Sequence, residues 1–109
     1  MVHPSDLTAQ WNNNELNANM VYEKLEEYAR DQHLNLTIDE LCYLARTILQ
    51  ACKMYHDRGS TYNDLIWALA GNNFNEIMLT ADNINKKCVG VYHKYFYNCV
   101  PADWRERIR

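Results

Sequence analysis

A chain of 109 residues has room for one hydrophobic core and not two. Its 48% apolar and 23% charged residues are an ordinary globular mix, which excludes a wholly disordered or fibrous chain. A net charge of −3, three glycines and two prolines argue against nucleic acid as the main partner and against a turn-rich β fold.

The mean hydropathy of −0.53 and the lack of a long apolar run predict no membrane span. The opening MVHPSDLTAQWNNN has neither a basic start nor an apolar stretch, so no secretory signal is read there. Cysteines stand at 42, 52, 88 and 99 with no Cys-x-x-Cys, and reduced thiols in a cytoplasmic protein are expected. Charge is uneven. Residues 1–54 carry four Lys/Arg against eight Asp/Glu, while residues 86–109 carry six against two.

In chain order, residues 1–12 are expected to be an irregular lead-in. A first helix is predicted from about Asn14 to Gln32, with Ala18, Val21, Tyr22, Leu25, Tyr28 and Ala29 on one face and Leu16 and Met20 off it. Thr37-Ile38-Asp39-Glu40 is a capping box, and Leu41, Leu44, Ala45, Ile48, Ala51, Cys52 and Tyr55 form a stripe behind it. Gly59, after Arg58, suits the left-handed position that ends this second helix. Ser60 and Thr61 restart the chain, with Thr61 and Asp64 as an N-terminal signature. The third helix, Leu65-Ile66-Trp67-Ala68-Leu69-Ala70, is apolar all round and so short and buried, with Gly71 closing it.

Asn73 with Glu76 begins the fourth helix. Phe74, Ile77, Ala81, Ile84, Cys88, Val91, Tyr92, Tyr95 and Cys99 share its seam, in nearly heptad steps, until Pro101 stops it. At ~1.5 Å per residue it would run roughly 40 Å and overhang its neighbours. Residues 102–109 make a charged tail. The expected fold is all-α: one domain over 1–109, a compact bundle of four main helices, with long second and fourth helices and a short buried third.

Candidate chemistry is sparse. Glu23, Glu27 and Asp31 form an acidic ridge at i, i+4, i+8, with Glu26 beside it. The Glu23-x-x-Glu26 pair resembles the first-helix motif of all-α nucleotide pyrophosphatases of the MazG kind. That resemblance implies a magnesium-dependent nucleotide hydrolase using Glu23, Glu26 and Glu27, which needs a second Glu-x-x-Asp helix to complete the four carboxylates, and no Glu-x-x-Asp occurs here. Glu76 or Asp82 of another copy would have to supply the rest. His3, His33, His56 and His93 fall in different elements, so no metal site and no cofactor are expected. Cys52, Cys88 and Cys99 lie on core stripes, which leaves Cys42 as the cysteine to test for reactivity. Widely spaced glycines make no phosphate loop, and no catalytic constellation is read, so an enzyme is not expected.

The remaining feature is the end of the fourth helix. Leu79, Lys86, Gly90, His93 and Tyr97 lie opposite its seam, with Val89, Phe96 and Val100 on one flank and Lys94 interposed. Trp104, Arg105, Arg107 and Ile108 follow in the tail. A helix end with no polar face must be covered. Either the tail folds back with Trp104 closing the core, or the face docks another chain, with Tyr, Trp and Arg as anchors and Gly90 permitting close approach. The leading expectation is a small non-enzymatic binding or regulatory protein docking on another protein through Leu79, Lys86, Gly90, His93, Tyr97, Trp104, Arg105 and Arg107. Replacing Tyr97 and Trp104 by Ala is expected to weaken association without unfolding. In its Asn and Tyr usage the chain resembles bacteriophage accessory proteins, which makes an inhibitor of a host or defence protein one form of this reading. Homo-oligomerisation through the last helix is a further expectation, and nucleic-acid binding by the basic tail a weaker one.

Overall fold

The computed structural model describes residues 2–57, 59, 61–80 and 82–109, with the side chains of Phe74 and Thr80 left aside. Among the described residues there are eight helical segments and no strand. They are α1 (Pro4–Asn12), α2 (Ala18–Asp31), α3 (Ile38–His56), α4 (Asp64–Ala70), α5 (Phe74–Thr80), α6 (Asn83–Lys87), α7 (Val89–Cys99) and α8 (Trp104–Ile108). The molecule measures 34 × 32 × 21 Å, with a radius of gyration of 12.8 Å. The helices are all-α in class, but they number twice the four expected.

The first correction is at the N-terminus. Residues 4–12 are a helix and not an irregular lead-in. His3 caps it by accepting from the Ser5 amide at 3.2 Å, and Pro4 occupies its first turn, where a missing N–H costs nothing. Leu7 and Trp11, one turn apart, are both fully buried. Trp11 meets Tyr55 edge-on at 5.6 Å and Phe96 at 6.3 Å.

The first predicted helix starts later than expected, at Ala18. Asn17 is its cap, accepting from the Asn19 and Met20 amides, and Asn14 sits in the left-handed link before it. Val21, Leu25, Tyr28 and Ala29 are buried as predicted, while Ala18 is exposed and Leu16 and Met20 rest half-buried on the core. Its Lys24 is also buried, 3% exposed, with its ammonium 3.2 Å from Glu27.

Helix α3 follows the expectation closely. Both halves of the capping box are present: Thr37 N–H donates to Glu40 at 2.9 Å, and Glu40 N–H donates to the Thr37 hydroxyl at 3.1 Å. All seven residues of the predicted stripe are buried. The helix ends differently, on Asp57 in an extended conformation. No described glycine has a positive φ; Asn14, His33 and Asn72 take the left-handed positions instead. Arg58 and Ser60, expected at this turn, lie outside the described residues. Thr61 does not cap α4. Asn63 does, accepting from the Ile66 amide at 3.1 Å, while the Thr61 hydroxyl accepts from Gln50. The short buried third helix is α4, with Leu65, Ile66, Ala68, Leu69 and Ala70 inside.

The long fourth helix is three pieces. Asn73 does start it, accepting from the Glu76 amide at 3.1 Å. Asp82 then opens a new helix, with its Oδ1 taking the Asn85 amide at 2.8 Å and its Oδ2 taking the Tyr43 hydroxyl at 2.8 Å. Cys88 joins α6 to α7, its amide shared between the Ile84 and Asn85 carbonyls. No 40 Å rod overhangs the domain. Ile77, Cys88, Val91, Tyr92, Tyr95 and Cys99 of the predicted seam are nevertheless all buried. Ala81 and the Phe74 side chain lie outside the described residues. Helix α7 packs on α1, α2 and α6, so its seam faces its own chain's core.

Candidate functional site

Helix α7 stops because Val100 is extended, at φ −129° and ψ 143°, ahead of Pro101. The Trp104 amide then donates to the Pro101 carbonyl at 3.1 Å, and the chain turns back. That reversal stacks the Trp104 ring on Phe96, with centroids 4.3 Å apart and planes at 25°. Trp104 is 5% exposed and Ile108 is buried beside it, so the tail is a short helix closing the core against α3 and α4.

A groove of about 600 Å³ is left where α7, the turn and α8 meet. Phe96, Val100 and Trp104 are its apolar lining and are themselves buried, so they form its floor. Tyr97 stands on its lip, 87% exposed, and Ala102 lines the turn. His93, Lys94 and Arg105 are its remaining members, so every charged or titratable nitrogen group here is basic and no carboxylate lines it.

The three basic residues are held differently. Lys94 reaches Asp31 of α2 at 2.8 Å and lies 4.8 Å from the centre of the Tyr28 ring, so its charge is matched. Arg105 donates from Nη1 to the Leu69 carbonyl at 2.9 Å and the Ala70 carbonyl at 3.5 Å, at the C-terminus of α4. That position favours a cation, and its guanidinium also covers Trp104 at 4.9 Å. These partners are neutral, and among the described residues no carboxylate pairs with Arg105. His93 is half-buried, and its pKa lies below the ordinary histidine value because burial disfavours the imidazolium and Arg105 adds positive charge. The lining contains no carboxylate, no hydroxyl of Ser or Thr and no thiol.

Of the eight predicted interaction residues, His93, Tyr97, Trp104 and Arg105 are brought together here. Trp104 is floor and not free surface, so its replacement tests packing as well as association. Arg107 lines a separate concavity of about 500 Å³ with Tyr55, His56, Asp57 and Glu106, its guanidinium 4.4 Å from the Tyr55 ring centre. Leu79 is 85% exposed on α5, and Lys86 is exposed on α6; neither lines the groove. At Gly90 the close approach is internal: a Cβ there would meet the Gln32 side chain at 2.5 Å. Sequence reasoning placed Lys94, Phe96 and Val100 near this face without assigning them to the site, and it missed Ala102. Only the turn at Pro101 gathers them, and a turn's direction is not written in periodicity.

The acidic ridge is dispersed into ion pairs. Glu26 meets Arg30 at 2.9 Å, Glu27 meets Lys24 at 3.2 Å, and Asp31 meets Lys94; Glu23 is exposed on the same helix. Among the described residues no group of three or more His, Cys, Asp or Glu could hold a metal ion. The basic tail is similarly engaged. Arg109 lies 4.8 Å from the Trp67 ring centre and Arg107 lies 4.4 Å from that of Tyr55, while Lys87 of α6 pairs with Glu40 at 3.6 Å. All four cysteines are free thiols. Burial raises Cys52 to about 11 and pushes Cys88 and Cys99 up, which removes their thiolates at neutral pH. Cys42 is half-buried on α3. No helix among the described residues is long and apolar enough to cross a membrane. Compared with known proteins, the chain matches no family model, no curated protein and no solved structure.

Proposed function

We propose that this chain is a small non-enzymatic binding protein that docks on another protein through the groove between α7 and α8. The observation that carries the reading is the groove itself: a buried aromatic floor, an almost fully exposed Tyr97 at the lip and an arginine held beside it. Aromatic and arginine anchors around a concave apolar floor are the features on which protein interfaces concentrate their binding energy. The free thiols fit a reducing, cytoplasmic setting for that role. Four helices, α2, α3, α4 and α7, carry most of the core in this reading, and the shorter segments seat the groove on them.

Panning a displayed random-peptide library tests it, with the wild-type chain as target and Tyr97→Ala as counter-target. Enriched peptides are expected to bind Tyr97→Ala at least about tenfold more weakly, since exposed aromatic anchors at interfaces are worth that much. Failure to enrich any binder, or enrichment only of binders indifferent to Tyr97→Ala, would sink the reading.

A further inference from the structure

Charge separates the groove from the rest of the surface. The whole chain is −3, and its first half is acidic, yet the groove's lining contains His93, Lys94 and Arg105 and no carboxylate. Lys94 is neutralised by Asp31, so the unmatched charge is that of Arg105, fixed in place by two carbonyls and the Trp104 ring. A preorganised guanidinium is a carboxylate receptor by geometry, since its fork matches two oxygens. Directly beside it lies an apolar floor of Phe96 and Trp104, with the exposed Tyr97 in the same lining.

We infer that the groove's occupant is an acidic segment of a partner protein, which seats one aliphatic or aromatic side chain on Phe96 and Trp104 beside Tyr97 and sets an adjacent Asp or Glu against Arg105. This rests on the docking reading above and names the partner's chemistry. His93 lies on the same wall and gains a second anchor role once a carboxylate enters. A nucleic acid fits the same groove less well. A phosphate backbone is bound by neutralising several phosphates at once, and one unmatched arginine on a chain of net charge −3 supplies little of that.

The test uses the full chain, isotopically labelled, and four fluorescein-labelled probes of equal length. One peptide alternates Asp and Glu around a central Trp-Leu pair. A second replaces the acids by Lys, a third replaces them by Ser, and the fourth probe is an oligothymidylate. The acidic peptide is expected to bind at least about tenfold tighter than the Ser peptide, with the Lys peptide weaker still. Its shifts should centre on Tyr97, Phe96 and the Arg105 side chain, and binding should weaken as salt rises. Arg105→Gln, checked for its helical spectrum, should bring the acidic peptide down to the Ser peptide's affinity. Should that variant unfold, the salt dependence and the shift map on the wild-type chain decide the question. Equal binding of the acidic and Ser peptides in the groove overturns the acidic preference and leaves the docking reading standing. Tighter binding of the oligothymidylate than of any peptide overturns both. Acidic-peptide shifts centred outside the groove overturn this inference.

Discussion

Replacing Trp104 by Ala separates a structural tail from a merely attached one. The side chain is 5% exposed, stacked on Phe96 at 4.3 Å and covered by Arg105 at 4.9 Å. A buried Trp removes roughly 150–250 Å² from water, and at about 25 cal/mol per Å² that is an upper limit of some 4–6 kcal/mol. Allowing for partial collapse of the site, the loss on truncation is about 3–5 kcal/mol. Domains of this size hold only about 5–15 kcal/mol in total, so roughly a fifth of the stability or more is at stake. Guanidinium unfolding followed by the helical signal reads it directly: the midpoint should fall with little change in slope. A loss below about 1 kcal/mol would refute the reasoning, because α8 would then be loosely held and the groove's floor incomplete. The same arithmetic is why Tyr97→Ala, and not a double replacement with Trp104, is the clean probe of association.

Tyr97→Ala itself should leave stability within about 0.5 kcal/mol of wild type, since an exposed side chain has little packing to lose; a thermal melt checks it. Tyr95→Phe removes a buried hydroxyl that has no hydrogen-bond partner among the described residues, and it should be neutral or stabilising by up to about 1 kcal/mol in the same unfolding assay; a clear loss would show a bond made there. Asp82→Ala deletes both the cap of α6 and the acceptor of the Tyr43 hydroxyl, at a cost of about 1–2 kcal/mol. His93 has a folded pKa below its unfolded one, so between the two the unfolded chain binds more protons and stability rises with pH. Its contribution is therefore complete above the ordinary histidine pKa and is lost as pH falls below it. His93→Gln should flatten that part of the stability–pH curve, and an unchanged slope would show that His93 keeps its proton affinity on folding.

The parts of the fold that were legible are those where local chemistry and periodicity agree. Helix α3 has a reciprocal cap at Thr37 and Glu40 and an unbroken stripe behind it, so its existence and its buried face could both be read. Helix α1 shows only Leu7 and Trp11 as core residues and uses a histidine as its cap, an uncommon choice, so nothing in it looked periodic. The fourth helix misled for the opposite reason. Its seam continues through both breaks because Ile77, Cys88 and Val91 all face the core, and periodicity cannot see a change of axis. The signal for the first break was present in Asp82 and Asn85, a cap spaced as at Thr37 and Glu40, but it was masked by the apolar pattern around it. In the site, His93 and Tyr97 could be placed because they share a helix face. The share of the groove supplied by Ala102, Trp104 and Arg105 depends on a reversal at Pro101 that is a tertiary outcome.

Phe96 receives Trp11 edge-on from one side and the Trp104 ring face-on from the other. The hydrophobic centre is thus assembled from residues near both ends of the described chain. During synthesis the helices before Phe96 and Trp104 emerge first, and the ring that Trp11 must pack against and the one that seals it follow only at positions 96 and 104. Closure of the core therefore waits until residues 96–108 have been made, and until then Trp11 and Leu7 lack these partners and are open to other chains and to chaperones. Pairings of such long sequence separation also slow the search, so this small helical protein should fold more slowly than bundles built from neighbouring helices.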